Sequence, residues 1–106
     1  MKLYKLVTFV PTTHADMVRE AMGKAGAGVI GEYTFCTFST RGVGRFKGSE
    51  KSNPSVGKAG QLESVEEERI ETNCPEDKID QVISAIKSVH PYEEIPIDLY
   101  PIENRY

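Results

Sequence analysis

The chain has 106 residues, a formal net charge of -3 and 39% hydrophobic residues, which fits one small globular domain. A net negative charge gives no overall attraction to nucleic acid or anionic lipid, and no apolar run approaches the length of a membrane span or an export signal. We therefore expect a single cytoplasmic domain over residues 1–106, with neither nucleic acid nor a membrane as its partner.

The first part of the chain predicts a strand followed by a helix. Residues 3–10 are almost wholly apolar or β-branched, which is typical of a buried central strand, and Pro11 ends it. Thr13 and Asp16 resemble a capping box at the start of a helix. The apolar positions of this helix then fall on one face, namely Val18, Ala21, Met22 and Ala25.

The middle of the chain predicts two strands joined by a long loop. Residues 33–40 are rich in aromatic and β-branched side chains, which favours a second strand ending near Thr40. Residues 41–60 contain five glycines and one proline, too many breakers for a regular element, so we expect a loop. Residues 62–72 predict a third strand with one charged face, formed by Glu67, Arg69 and Glu71.

The last part predicts a second helix and a fourth strand. Pro75 suits a first helical position, and the apolar face of this helix comprises Ile79, Val82, Ile83, Ile86 and Val89. Residues 95–102 follow as an edge strand. The order βαββαβ predicts an α+β, ferredoxin-like sandwich. Its antiparallel sheet has strands one and three in the centre and both helices on one face.

Several short motifs occur in an order that resembles one family. They include FCTFST at 35–40, GVGRF at 42–46, ERIET at 68–72, PED at 75–77 and HPYEE at 90–94. Together they resemble the PII-like/CutA-like domain inserted in the NGG-interacting-factor-three family (YqfO-type proteins), over nearly the whole chain. The HPYE segment is also similar to one in CutA divalent-ion tolerance proteins. The sequence departs from the pattern at Glu68, Asn73 and Cys74, where larger apolar residues are expected.

The resemblance implies a stand-alone version of this domain that assembles as a homotrimer, with sheets facing inward and helices outward. In longer family members a dinuclear metal site lies in the two halves that flank the domain, so that chemistry is not transferred here. The charged strand face fits the implied trimer, because Glu67, Arg69 and Glu71 could pair across a threefold interface.

The 41–60 loop is a candidate site for an anionic small molecule. It carries five basic residues against one acidic residue, and its glycines would let backbone N–H groups approach a phosphate. The resemblance to PII proteins, which bind nucleotides at this loop, implies the same location. A mobile, solvated loop explains the composition equally well. The predicted ligand-binding residues are Arg41, Gly42, Gly44, Arg45, Lys47 and Lys58.

The segment between the second helix and the last strand offers an alternative metal site. His90 and Glu93 would be the ligands, with Tyr92 and Glu94 close by in sequence. A Pro-Tyr turn that ends the helix accounts for the same residues without a metal.

No catalytic constellation is evident, so we expect a non-enzyme without a cofactor. Cys36 or Ser39 with His90 would be the only nucleophile pairing, and strand residues of this kind more often pack than react. The two cysteines are expected to be buried as small hydrophobes. Function is predicted to be ligand sensing or partner binding through the basic loop. The alternatives are divalent-metal binding and an assembly role in which the domain docks on a separate Nif-type protein.

Overall fold

The computed structural model describes residues 1–105, which form the element order βαββαβ. The elements are β1 (Leu3–Pro11), α1 (Ala15–Lys24), β2 (Phe38–Lys47), β3 (Leu62–Pro75), α2 (Ile79–Val89) and β4 (Ile97–Ile102). A 3-10 turn precedes each helix, Thr12–His14 before α1 and Glu76–Lys78 before α2. Neither helix of this described part is long and apolar enough to cross a membrane.

The four strands form one antiparallel sheet in the order β2-β3-β1-β4. This confirms the predicted ferredoxin-like α+β fold with strands one and three in the centre. The strands of the sheet differ in length, because β1 pairs with β3 only as far as Pro11, which lies opposite Glu67. β2 continues along β3 to Lys47 opposite Leu62, so the two strands project beyond β1 as a two-stranded arm.

The core lies between the sheet and the two helices. Leu6 and Val10 of β1 and Ile70 of β3 are fully buried against side chains from both helices, Val18, Met22, Val82 and Ile86. Both helices therefore cover the same face of the sheet, and their predicted apolar faces are confirmed. Burying side chains of this size contributes roughly 1.5–3 kcal/mol each, so this layer supplies much of the stability of the fold.

β2 lies further along the chain than predicted. Residues 33–37 are not part of it, and it continues through Lys47, so that the irregular connection to β3 comprises residues 48–61. Gly42 and Gly44 were expected to break a strand, but β2 is an edge strand, where a glycine is tolerated. At Gly44 the absence of a β-carbon leaves room for the carboxylate end of the Glu67 side chain, which would have to shift if a β-carbon were added.

The starts of three other elements differ from their predictions by a few residues. Thr13 does not cap α1, because its hydroxyl is hydrogen-bonded to Nδ1 of His14 at 2.8 Å. Pro75 is the last residue of β3, and a 3-10 turn occupies the place expected for the first turn of α2. β4 begins at Ile97, where its pairing with β1 starts opposite Thr8, and Ile95 and Pro96 precede it in the pocket wall.

Candidate functional site

A pocket of about 510 Å³ lies at the base of the two-stranded arm. Its walls are the end of β2, the connection that follows β2, and the segment 92–96 that precedes β4. The strand alternation that buries Leu6 and Val10 under the helices turns Phe9 to the opposite face, where this pocket opens. Much of the lining is apolar, formed by Phe9, Phe46, Pro54, Val56, Ile95 and Pro96.

Three of the six predicted ligand-binding residues line this pocket. Gly44, Arg45 and Lys47 lie along the end of β2 at its edge. Arg41 and Gly42 lie earlier on β2, opposite Glu68 and Glu67, and do not line the pocket. Lys58 is in the following connection, also outside the lining.

Carboxylates that the loop composition did not predict also line the pocket: Glu67, Glu93 and Glu94. Two of them are held by hydrogen bonds within the chain. Glu93 accepts the backbone N–H of Asn53 through both carboxylate oxygens, at 3.1 and 3.3 Å, and so anchors the connection after β2 to the opposite wall. Glu67 accepts the phenol of Tyr92 at 2.5 Å. Burial, together with this bond to Glu67, raises the pKa of Tyr92 well above its usual value.

His90 lies behind the pocket wall and is buried. Its Nε2 is 2.8 Å from the carbonyl oxygen of Phe9, and its Nδ1 accepts the backbone N–H of Tyr92 at 3.2 Å. Burial lowers the pKa of this imidazole and thus favours the neutral ring.

The same geometry bears on the metal-site alternative. Both ring nitrogens of His90 have hydrogen-bond partners, and Glu93 is bonded to Asn53. Metal binding by His90 and Glu93 would therefore have to break bonds that hold the pocket wall. In residues 1–105 no three His, Cys, Asp or Glu side chains are grouped as a metal site.

The side chains considered as nucleophiles have other partners. Ser39 accepts a hydrogen bond from Nη1 of Arg19 at 3.0 Å, and the Cys36 thiol lies 3.8 Å from the carbonyl oxygen of Thr34. Cys74 is buried as expected, whereas Cys36 is only partly buried. The burial expected for both cysteines is thus correct for one of them.

The charged residues of β3 that were predicted to face a trimer interface lie on the open side of the sheet. Arg69 pairs with Glu71 at 3.4 Å, and its guanidinium lies 5.7 Å from the centre of the Phe9 ring. Glu67 is bonded to Tyr92. These charges therefore have partners within one chain and form a polar surface with the edge of the pocket at one end.

An antiparallel β2-β3-β1-β4 sheet with two helices on one face is the ferredoxin-like arrangement of a PII/CutA-like domain. Solved structures support this class. CutA from Archaeoglobus fulgidus matches 98% of this chain and 87% of its own length, with a TM-score of 0.71 at 16% identity. GlnK of Bacillus subtilis, solved as an ATP complex, matches 95% of this chain and 82% of its own length, with a TM-score of 0.64 at 16% identity. Both likenesses are in fold alone.

Sequence relatives are more specific, although no family model matches the chain. A protein of Halalkalibacterium halodurans called GTP cyclohydrolase 1 type 2 homolog is 56% identical over 102 residues, covering 96% of this chain and 27% of the relative. The Bacillus subtilis protein of the same name is 46% identical over 101 residues, covering 95% of this chain and 27% of the relative. A Bacillus cereus protein related to NIF3 has a TM-score of 0.85 at 50% identity, covering 97% of this chain and 26% of that one.

The chain is thus homologous to the PII/CutA-like segment of NIF3-type proteins, as its motifs indicate. It spans about a quarter of the length of the relatives it matches.

Proposed function

We propose that the chain is a homotrimeric PII/CutA-like module that binds a small anionic molecule in the pocket at the base of the arm. The observation that supports this most is an apolar lining bordered by exposed Arg45 and Lys47 of the edge strand β2. The register starts these two side chains on the face opposite Gly44 and Phe46, so they would reach a ligand by folding over the strand edge. An apolar pocket with a few convergent polar groups is the usual form of a small-molecule site.

The pocket charges favour an anion despite the carboxylates in its walls. Glu67 and Glu93 already accept hydrogen bonds from the protein, whereas Arg45 and Lys47 form no ion pair among residues 1–105. A guanidinium and an ammonium outside the ion pairs of this described part of the chain are suited to a phosphate or carboxylate. The aromatic rings of Phe9 and Phe46 are suited to a flat apolar group on the same ligand. ATP is the first candidate, because the GlnK of similar fold was solved with it.

Replacing Arg45 by Ala is expected to weaken ATP binding about tenfold or more, because a hydrogen bond to a charged group contributes roughly 1.5–3 kcal/mol. Isothermal titration calorimetry measures the effect. Arg41→Ala is the matched control, since Arg41 lies on the same strand but outside the pocket. Added salt should weaken wild-type binding, since it screens charges over roughly 8 Å at physiological ionic strength.

Two outcomes of that calorimetry would contradict the proposed site. One is an Arg45→Ala variant that binds ATP as tightly as the wild type does. The other is an Arg41→Ala variant that loses as much affinity as Arg45→Ala. A titration with Zn²⁺ tests the metal alternative. If that alternative holds, the wild type binds Zn²⁺, His90→Ala abolishes this binding and Arg45→Ala leaves it intact.

The assembly prediction concerns the open face of the sheet. The resemblance to PII and CutA implies a trimer through this face, which carries Glu67, Arg69 and Glu71 and no helix, so we expect a particle of three times the 11.8 kDa chain mass. Light scattering coupled to gel filtration measures that mass. Arg69→Glu would give β3 three successive acidic residues on this face and should reduce the mass to that of one chain, whereas the same reversal at exposed Arg105 should not. A monomeric wild type at micromolar concentration would exclude this interface.

A further inference from the structure

The turn that leaves α2 determines where one wall of the pocket lies. α2 ends at Val89, and His90 is extended, with φ -79° and ψ 134°, as expected for a residue before proline. Pro91 and Tyr92 complete the turn, and the chain then enters the wall segment 92–96. The side chain of His90 points back toward β1, where Nε2 meets the Phe9 carbonyl oxygen.

The partners of His90 identify its tautomer. The carbonyl of Phe9 can only accept a hydrogen bond, so Nε2 must carry the proton over the 2.8 Å separation. The backbone N–H of Tyr92 can only donate, so Nδ1 must present its lone pair at 3.2 Å. Only the neutral ring with its proton on Nε2 makes both bonds.

Tyr92 extends the hydrogen-bonded chain from His90 to β3, which also lines the pocket. Its ring centre lies 4.9 Å from that of His90, inclined at 56°, and its phenol donates to Glu67 of β3 at 2.5 Å. Three hydrogen bonds in succession therefore join Phe9, His90, Tyr92 and Glu67. Phe9, Tyr92 and Glu67 line the pocket, whereas His90 does not.

We propose that His90 is a positioning residue for this pocket, which fixes the Tyr92 wall against β1 and β3 without touching the ligand. The expected effect of His90 on ligand affinity rests on the proposed function of the pocket. Its effect on the position of the wall rests on the three hydrogen bonds alone.

Two substitutions separate hydrogen bonding from packing. His90→Asn supplies a side-chain oxygen able to accept the N–H two residues later, the usual Asx-turn contact, and so should keep the Tyr92 bond. His90→Leu fills similar space without any acceptor. We expect the Tyr92 amide to exchange with solvent about tenfold faster in the Leu variant, and within threefold of the wild-type rate in the Asn variant. ATP affinity by calorimetry should follow the same order.

A further pair of measurements keeps the proposal testable if the Leu variant does not fold. Nitrogen-15 chemical shifts of wild-type His90 should show protonated Nε2 and unprotonated Nδ1. Tyr92→Phe, which removes only the bond to Glu67, should weaken ATP binding. A proton on Nδ1, or Leu and Asn variants with equal exchange at Tyr92, would overturn the positioning role. Absence of ATP binding to the wild type would refute the ATP proposal, while the exchange rates and shifts would still decide the role of His90.

Discussion

Replacing Arg19 by Ala is expected to lower the free energy of unfolding by about 3 kcal/mol, because it leaves a carboxylate buried without its partner. Glu68 lies on the helix-facing side of β3, and its side chain is only 9% exposed. Nη1 of Arg19 reaches it at 2.5 Å and also contacts Ser39, while Nη2 pairs with Asp16 at 2.5 Å. Burial lowers the pKa of Arg19, but the carboxylates of Asp16 and Glu68 more than offset this and raise it overall.

Urea unfolding at one fixed protein concentration measures this loss, since an oligomer's apparent stability depends on concentration. Lys24→Ala is the control on the same helix. Its ion pair with Glu20 is mostly exposed and should contribute no more than about 1 kcal/mol. The double variant Arg19→Met with Glu68→Leu should recover most of the stability, because it removes the buried carboxylate together with its partner. Equal losses for Arg19→Ala and Lys24→Ala would show that Glu68 does not depend on Arg19.

The fold could be predicted because each helix shows a clear period in its buried positions. Val18 and Met22 in α1, and Val82 and Ile86 in α2, fall where a helical repeat places them and are fully buried. β2 was misplaced because its glycines resemble breakers when they are read locally. The space beside Gly44 is occupied by the end of the Glu67 side chain of the neighbouring strand, 23 positions further on, and no local pattern shows that proximity.

The candidate site was only partly predictable for a similar reason. Basic residues near Arg45 stand out in the sequence, but Glu67 and Glu93 come from distant segments and reach the pocket only through the sheet register and the turn after α2. The alternation of side chains along β3 does predict one part of the site, because it places Glu67 on the sheet face opposite the core, where the pocket lies. The Arg19 and Glu68 pair gave none, because 49 positions separate its members. Glu68 stands where the family pattern has an apolar residue, and its pairing with Arg19 explains how an acidic side chain is accommodated there.

Gly28→Ala is expected to lower the free energy of unfolding by at least about 2 kcal/mol, through two effects at one position. Its φ of +79° lies in the left-handed region, which costs a residue with a β-carbon roughly 1–2 kcal/mol. A β-carbon there would also lie 2.7 Å from the carbonyl oxygen and 2.8 Å from the nitrogen of Cys36. Because both atoms belong to the backbone, relief requires moving the chain. That movement would strain the bonds from Gly28 N–H to Asn73 and from Cys36 N–H to Gly28, at 2.7 and 2.9 Å.

Gly31→Ala separates the two effects, because Gly31 shares the left-handed conformation with φ +58° but a β-carbon there would meet nothing within 4 Å. This variant should lose only the conformational part, about 1 kcal/mol. The difference between the two variants in urea unfolding then measures the close approach of Gly28 to Cys36. That approach holds the two ends of the connection between α1 and β2 together, and the bonds from Gly28 N–H to Asn73 and from Thr72 to the Cys36 carbonyl, the latter at 2.8 Å, tie this connection to the end of β3. If both variants lost the same free energy, the backbone around Cys36 would have to move freely, and the start of β2 would not be held by Gly28.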